Sequence, residues 1–384
     1  MNLLTRLNQV TAKTLFHTES LGSYFEPLIQ RVKPAWRTHW FRAQVLSLKP
    51  LRDDVLQLEL APQKTWPQAK AGQHVLLTLE INGRLMTRPF SISSAPDQRQ
   101  TLQPKKRVIR LTIKHTADGA FTSALSQHIS VGGFVNLSAP QGEFLLSDSV
   151  LNLPETPLWL VAAGSGITPF MAMLHQLALS THRLKPLFAN AIQSPAHKPS
   201  NPIYVVYFAK AGEHLYVDEL TVLAQLLPQL KVKLLVRKNG DNLATALQGC
   251  LASSQVLICG PGQFKQDVDH QLDAINHPPQ HRQAEYFQAP ILPKTDNGEQ
   301  HIQLTQRGKQ TQLTLATNDT LLNGLEQQGI SATFGCRIGV CHQCQCVKKS
   351  GVVRNLRTGE LSQQGEQLIQ LCISQAVTPL ELEL

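Results

Sequence analysis

The chain has 384 residues, of which 42% are hydrophobic and 16% are charged, and its formal net charge is +9. At about 100–200 residues per domain, this length predicts roughly two to four globular domains. No run approaches the ~18 consecutive apolar residues that a membrane-spanning helix needs, and no basic-aromatic motif accompanies the charge, which argues against an integral membrane protein and against a nucleic-acid-binding protein.

Residues 1–36 form a basic leader, which we expect to be helical and to end near Pro34. The first fifty residues contain seven Lys or Arg and only two Glu. Such a leader attracts an anionic partner or the anionic inner face of a membrane, and the alternative interpretation is a solvated helical arm. Because the N-terminus has no long apolar segment like that of a secretory signal, we expect a cytoplasmic protein with at most weak peripheral contact at the membrane surface.

Residues 37–150 predict an antiparallel β-barrel. Short alternating runs such as FRAQVLSL, DVLQLEL and HVLLTLEI are separated by turn residues. Asn82-Gly83 lies between two of these runs, and this dipeptide is a strong signal for a hairpin. Many short strands with regularly spaced turns are typical of a small barrel.

Residues 151–290 change to continuous apolar strands that alternate with helices, which predicts a parallel α/β sheet. Leu158–Ala163 is one such strand, and the segment from Pro169 to Ser180 is expected to form the helix that follows it. A polar, Pro-containing linker leads to residues 299–384. There, two strands, a helix from Thr320 to Gly329 and a cysteine-rich loop predict a small α+β domain.

Five of the seven cysteines lie in the last fifty residues. Cys336, Cys341 and Cys344 have the spacing C-x4-C-x2-C, and Cys372 follows after 27 intervening residues. Plant-type ferredoxins hold a [2Fe–2S] cluster through four thiolates with this spacing. A zinc site or free thiols are the alternative, although zinc sites favour C-x2-C pairs. We interpret Cys346 as a buried spare thiol, and the alternative is that it replaces one of the four ligands.

A second motif, Arg88-Pro89-Phe90-Ser91, follows the predicted hairpin and resembles the R-x-Y-S motif of the ferredoxin–NADP reductase family. The resemblance implies that Arg88 holds the flavin phosphate, that Phe90 packs on the isoalloxazine ring, and that the Ser91 hydroxyl faces flavin N5. A guanidinium group, an aromatic face and a hydroxyl are chemically suited to these roles. Pro89 belongs to the same implied flavin site, and Phe90 keeps the stacking surface of the usual Tyr without its hydroxyl.

The segment Asp118-Gly119-Ala120-Phe121-Thr122-Ser123 is expected to open a helix, and helix N-termini bind phosphates. It resembles the family loop that carries a diphosphate, so the resemblance implies FAD, with FMN as the alternative. The residues of this segment that we assign to flavin binding are Gly119, Phe121, Thr122 and Ser123.

Two loops at the carboxyl ends of predicted strands are expected to bind the nicotinamide nucleotide. The first, residues 164–169, fits the family's G-x-G-x-[TS]-P form and leads into a helix, whose backbone N–H groups suit a pyrophosphate. The second, Cys259-Gly260-Pro261, meets the nicotinamide near the flavin in that family, although a buried filler is the alternative for Cys259. The residues assigned to this site are Gly164, Gly166, Thr168, Pro169, Cys259, Gly260 and Pro261.

Two further residues complete the implied site. Lys210 ends a strand where relatives contact the adenosine ribose, and pairing with a 2′-phosphate would favour NADPH over NADH; a solvated surface lysine is the alternative. Glu285, in Glu285-Tyr286-Phe287, resembles the acid of the family's closing strand, which lies near the flavin. Ser91, Cys259 and Glu285 are therefore the implied catalytic residues.

In this order, the modules resemble flavin reductases of the ferredoxin–NADP reductase type with a C-terminal plant-type [2Fe–2S] ferredoxin domain. This family implies a flavin-binding barrel, an NAD(P)H-binding α/β domain and a β-grasp ferredoxin domain. Tyr24-Phe25-Glu26 and Asn355-Leu-Arg-Thr-Gly-Glu360 narrow the resemblance to the reductase partners of bacterial membrane fatty-acid (stearoyl-CoA type) desaturases.

The resemblance implies electron transfer from NAD(P)H through flavin and cluster to a separate acceptor protein. The acceptor expected from it is a membrane di-iron fatty-acid desaturase. The alternatives are a reductase component of an aromatic-ring or demethylating oxygenase, and a redox-sensing binding protein built from the same modules.

Overall fold

The computed structural model describes residues 40–81, 84–96, 99–100, 103–115, 120–146, 156–180, 201–287, 298–306 and 308–384. The basic leader, the Asn82-Gly83 turn, Gly119 and most of the predicted linker lie outside these ranges, so what was predicted for them stays a prediction. Within the ranges, no helix is both long enough and apolar enough to cross a membrane.

The first module is an antiparallel barrel. Its elements are β1 (Phe41–Arg52), β2 (Val55–Pro62), β3 (His74–Ile81), β4 (Arg84–Ser91), β5 (Arg99–Gln100), β6 (Gln103–Arg107), β7 (Ile109–Lys114), α1 (Ala120–His128) and β8 (Phe134–Leu137). Six strands pair antiparallel in the order β4-β3-β8-β1-β2-β7, and β5 pairs with β6 in a separate ribbon. A bridge between Ile92 and Leu111 brings the two end strands together, so the sheet curls into the predicted barrel.

The second module is a parallel sheet of five strands. These are β9 (Leu158–Ala163), β10 (Ile203–Phe208), β11 (Leu230–Leu235), β12 (Gln255–Gly260) and β13 (Arg282–Tyr286), in the order β11-β10-β9-β12-β13. The helices are α2 (Thr168–Ser180), α3 (Val217–Leu226), α4 (Leu243–Ala246) and α5 (Gly262–Ala274). The strand order reverses at β9, so the loops after β9 and β12 meet at the carboxyl edge, which is where such sheets bind ligands.

The third module is a mixed sheet packed on one short helix. Its elements are β14 (Glu299–Gln306), β15 (Lys309–Ala316), α6 (Leu321–Gln327), β16 (Gln345–Ser350), β17 (Val353–Asn355), β18 (Gln367–Gln370), β19 (Ser374–Ala376) and β20 (Leu380–Glu383). The sheet order is β15-β14-β20-β16-β18, with only the β14–β20 pair parallel, and β17 pairs with β19 separately. This architecture agrees with the predicted α+β ferredoxin-like module.

Helix α6 is shorter than the sequence predicted. Thr320 was expected to be its first residue, but Thr320 is the N-cap, and its hydroxyl accepts a hydrogen bond from the Asn323 N–H at 3.2 Å. At the other end, Gly329 has a positive φ of 74°, which belongs to the turn after the helix. The cap and the turn residue therefore account for the difference at each end.

A partly buried ion-pair network joins the barrel to the parallel-sheet module. The Arg110 guanidinium on β7 donates to both carboxylate oxygens of Glu219 on α3, at 2.9 and 3.0 Å. His175 on α2 contacts the same carboxylate, and Arg110 also lies over the Tyr216 ring, 4.9 Å from its centroid. Burial opposes ionisation of Glu219, but His175 and Arg110 outweigh it and lower the pKa of Glu219 to about 2.

This network predicts acid-dependent stability. The pKa of Glu219 is about 2 in the folded protein against an ordinary value of 4.5, so ionisation of this carboxylate stabilises the fold. That stabilisation is complete above pH 4.5 and is lost as the pH falls towards 2, since the unfolded chain then binds the proton first. We expect Glu219→Gln to lower the free energy of unfolding by on the order of 2 kcal/mol at neutral pH.

Urea denaturation of wild type and Glu219→Gln at neutral and acid pH measures this effect. Asp218→Asn is the matched control, because Asp218 is an exposed carboxylate on the same helix turn. At acid pH, the difference in unfolding free energy between wild type and Glu219→Gln should shrink. The difference between wild type and Asp218→Asn should stay the same. An equal loss in the Asp218→Asn protein would show that the effect is a general charge effect of the helix.

Candidate functional site

The cysteine loop runs between α6 and β16 and curls tightly around its own sulfur atoms. The backbone N–H groups of Val340 and Cys341 donate to Cys336 Sγ at 3.4 and 3.3 Å, and the Cys336 N–H donates to Cys341 Sγ at 3.2 Å. A Cβ atom on Gly335 would lie only 2.9 Å from Cys341 Sγ, so this close approach requires glycine.

The four predicted cluster ligands lie as two pairs of thiols. A side-chain hydrogen bond with Cys341 lowers the pKa of Cys336, and the same contact raises the pKa of Cys341. A hydrogen bond with Cys372 likewise lowers the pKa of Cys344 and raises that of Cys372. Two thiol pairs with backbone donors aimed at a sulfur suit two irons held by four thiolates.

The fifth cysteine of this segment, Cys346, belongs to neither pair. Cys346 lies on β16 in the apolar core of the module, and burial followed by the nearby Cys344 raises its pKa to about 12. Its surroundings therefore suit the predicted spare thiol.

The predicted flavin strand, β4, touches the cysteine loop directly. Arg88 Nη1 donates to the carbonyl of the preceding residue, Thr87, at 2.8 Å and to the Gly335 carbonyl at 3.2 Å. Burial and the neighbouring Arg337 lower the pKa of Arg88, whereas Cys336 and Cys341 raise it. The residue implied to hold the flavin phosphate thus also contacts the residue that precedes the first cluster cysteine.

The remaining flavin motifs meet on the barrel beside Arg88. The Phe90 and Phe121 rings lie 5.8 Å apart, so the motif on β4 packs against the start of α1. Pro89 lies between Arg88 and Phe90 on the strand, while Thr122 and Ser123 follow Phe121 on the first turn of the helix. An apolar ring pair beside a helix N-terminus can receive a planar ring with a phosphate tail.

The three implied catalytic residues come together where the barrel meets the parallel sheet. Ser91 Oγ donates to Glu285 Oε2 at 3.2 Å. Cys259 is fully buried, and burial followed by the charge of Glu285 raises its pKa. A Cβ atom on Gly166 would lie 2.0 Å from the Cys259 carbonyl oxygen, so glycine lets the loops after β9 and β12 pack together.

His74 also belongs to this constellation, although the sequence analysis assigned it no role. Its Nδ1 lies 3.2 Å from Glu285 Oε1, so Glu285 bridges His74 and Ser91 with its two oxygens. The predicted hairpin could have indicated that His74 lies beside Ser91. If Asn82-Gly83 is a two-residue turn, counting residues outwards from it on both strands pairs His74 with Ser91, and this is the observed register.

The predicted nucleotide loop borders a cavity of about 210 Å³ between the barrel and the parallel sheet. Lys210 lines it with its side chain 79% exposed and lies 3.8 Å from Glu213. Two cations of the barrel also line the cavity, Arg52 and Lys114, and sequence reasoning missed both because they come from another module. Beside the cavity, Thr168 Oγ1 donates to the Ser165 carbonyl at 2.9 Å and so stabilises the turn that leads to Pro169 in α2.

Two family models match the chain: an oxidoreductase FAD-binding domain over residues 52–145 and a 2Fe-2S iron-sulfur cluster binding domain over residues 304–377. The ferredoxin reductase component of 3-ketosteroid-9-alpha-monooxygenase from Mycolicibacterium smegmatis is 31% identical over 290 residues, which are 70% of this chain and 72% of that protein. The beta subunit of heme-dependent oxidative N-demethylase from Ectopseudomonas mendocina is 32% identical over 285 residues, which are 73% of this chain and 78% of that protein.

The fold is also that of phthalate dioxygenase reductase, with a TM-score of 0.55 and 21% identity over 90% of this chain and 98% of that one. These matches confirm the predicted multidomain fold and the predicted cofactors, which are FAD, a [2Fe–2S] cluster and NAD(P)H. They do not support a redox-sensing binding protein. The chain belongs to the family of NAD(P)H oxidoreductases that carry FAD and a [2Fe–2S] cluster, which includes ferredoxin reductase components.

Proposed function

We propose that this reductase delivers electrons to an oxygenase component, and that they leave the flavin module across the Arg88–Gly335 contact. When bound, FAD accepts a hydride and releases electrons singly, and the cluster carries one electron at a time. The observation that supports this route is the 3.2 Å hydrogen bond between the flavin-motif arginine and the cluster loop. It connects the two cofactor modules through a single side chain.

Within the barrel, each proposed residue has a distinct task. Arg88 supplies positive charge for the flavin phosphate, and Phe90 offers an aromatic surface for the ring. With flavin bound, the Ser91 hydroxyl, which donates to Glu285, would be the group that exchanges a proton at N5, and the buried Cys259 would line the floor of the site. These assignments rest on the motif resemblance together with the contacts described above.

The cavity between the modules is the proposed entry point for the nucleotide phosphates. Three cations surround the Glu213 carboxylate, from Arg52, Lys114 and Lys210. A phosphate bound in the cavity can pair with some of these cations in place of the carboxylate. Lys210 pairs only loosely with Glu213, at 3.8 Å, and its exposed side chain can turn towards a 2′-phosphate, which favours NADPH. Comparison of kcat/KM for NADPH and NADH in wild type and Lys210→Ala tests this preference.

The acceptor proposal departs from the one that the sequence resemblance suggested. The relatives described above carry the names of a monooxygenase reductase component, an oxidative N-demethylase subunit and a dioxygenase reductase. This supports the oxygenase alternative over a membrane fatty-acid desaturase. The motifs that suggested a desaturase lie partly in the leader, which is outside the described residues.

Serine substitutions test the cluster ligands. Replacing Cys336, Cys341, Cys344 or Cys372 should abolish or strongly weaken the EPR signal of the reduced cluster, because each removes one of four thiolates. The flavin absorbance should remain, since the flavin module is separate. Cys346→Ser is the matched control and should keep the signal. Loss of the signal in that control alone would overturn the ligand set.

Reconstitution with purified acceptors tests the proposed partner. NAD(P)H oxidation should be coupled to product formation with an aromatic-ring or demethylating oxygenase, and not with a membrane fatty-acid desaturase. Reduction of cytochrome c in both mixtures controls for an active reductase. Product formation with the desaturase alone, lost on deletion of residues 1–36, would reject the oxygenase proposal and restore the original expectation.

A further inference from the structure

Three cations and two carboxylates form one ionic cluster where the barrel meets the parallel-sheet module. Arg52 on β1 donates through Nε and Nη2 to the two carboxylate oxygens of Asp54, at 2.7 and 2.9 Å. Lys114 on β7 lies 3.5 Å from Asp54 and 3.2 Å from Glu213. Lys210 completes the cluster at 3.8 Å from Glu213. The three cations and Glu213 line the cavity of about 210 Å³, whereas Asp54 is not among its lining residues.

Glu213 is the carboxylate that reaches the barrel cations from the parallel-sheet module. It lies in the loop between β10 and α3, and its N–H donates to the Lys210 carbonyl at 2.9 Å, which holds the backbone of the loop. Its Oε2 lies 3.6 Å from Arg52 Nη2 and 3.2 Å from Lys114 Nζ. The side chain is 29% exposed, so it can turn out of the cavity into solvent while the backbone stays in place.

Glu213 is negatively charged at neutral pH. Burial opposes its ionisation, but Lys114, Lys210 and Arg52 outweigh burial and lower the pKa of this carboxyl group. With both carboxylates ionised, three cations face two anions, so the cluster keeps one positive charge. A phosphate that enters the cavity therefore meets cations that are already paired, and it must separate Glu213 from them before it can bind.

The Arg52 guanidinium gives a second indication that an anion binds in this cavity. Its Nη1 is buried and has no hydrogen-bond partner among the described residues, although its other two nitrogens are paired with Asp54. A buried donor on a charged group is costly when it is unpaired. Because a guanidinium presents its donors in a fixed fork, a phosphate that pairs with Nη2 also brings acceptor oxygens towards Nη1.

We propose that Glu213 is an internal competitor of the nucleotide phosphates: it occupies their cations in the nucleotide-free enzyme and returns to them when the oxidised nucleotide leaves. The proposal rests on the proposed placement of these phosphates in the cavity, and it adds the residue that limits their affinity. NADPH and NADP⁺ carry the same phosphates, so the competition weakens the binding of both. Glu213 thereby prevents the site from retaining its product while the next NADPH waits to bind.

Calorimetric titration of the FAD-loaded full chain with inorganic pyrophosphate tests the competition. Glu213→Gln keeps the size of the side chain and removes its charge. We expect this variant to bind pyrophosphate on the order of five-fold more tightly than wild type, since partly exposed ion pairs each contribute only a few-fold. Unchanged or weaker binding overturns the proposal.

Asp54→Asn is the matched control, because Asp54 pairs with Arg52 and Lys114 but does not line the cavity. Its gain in pyrophosphate affinity should be smaller than that of Glu213→Gln. An equal gain overturns the proposal, because it shows a general effect of charge and not competition for the cavity.

Glu213→Asp is a second variant that keeps the measurement decisive if Glu213→Gln does not fold. It keeps the negative charge, but its side chain is shorter by one methylene group and reaches the barrel cations less closely. Pyrophosphate should again bind more tightly than in wild type, and wild-type affinity in this variant overturns the proposal.

Steady-state kinetics identify the phosphate that competes with Glu213. In Glu213→Gln, KM for NADPH and the inhibition constant of NADP⁺ should fall together, and unchanged values contradict the proposal. A similar fall in KM for NADH assigns the pyrophosphate to the cavity, whereas a fall confined to NADPH assigns the 2′-phosphate.

Lys114→Gln distinguishes failure of the competition from failure of the phosphate site. If this variant binds pyrophosphate as wild type does, the cavity is not the phosphate site, and the placement under the proposed function fails. Weaker binding in Lys114→Gln together with wild-type binding in Glu213→Gln keeps that placement and rejects only the role of Glu213.

Discussion

The Arg88–Gly335 hydrogen bond is a direct contact between the barrel and the cluster loop. A half-buried hydrogen bond from a charged group contributes about 1.5–3 kcal/mol, enough to favour one docking arrangement of the two modules. Arg88 also lies close enough to Cys336 and Cys341 for their charges to act on it. Because reduction adds negative charge to a cluster, a guanidinium beside these thiolates would favour reduction of a cluster that they hold.

Strand β4 serves both sides of the electron path. Residues an odd number of positions apart point to opposite faces of a strand, so Arg88 and Ser91 face different modules. Arg88 reaches the cluster loop, and Ser91 reaches Glu285 of the parallel sheet. The proposed flavin motif therefore contacts both the parallel-sheet module and the cluster loop. The Arg110–Glu219 ion pair fixes the parallel sheet to the same barrel.

Much of the fold could be predicted because its signals are local. The cysteine spacing, the strand alternation and the glycine loops each depend on a few consecutive residues, and the structure confirms the modules they indicate. The contacts of Arg88 with Gly335, of His74 with Glu285, and of Arg52 and Lys114 with the nucleotide cavity join residues far apart in the chain. Such contacts depend on how the modules dock, which no local pattern encodes. The acceptor is harder still to predict, because its identity depends on a surface of another protein.

Anaerobic stopped-flow reduction of Arg88→Gln, kept loaded with excess FAD, tests the coupling of the two cofactor modules most directly. Flavin reduction by NADPH should proceed as in wild type, while reduction of the cluster should lag behind it. Arg337→Gln is the control. Arg337 lies on the cysteine loop itself, but it pairs with Glu326 inside the third module and not with the barrel. Cluster reduction at the wild-type rate in FAD-loaded Arg88→Gln would contradict the account.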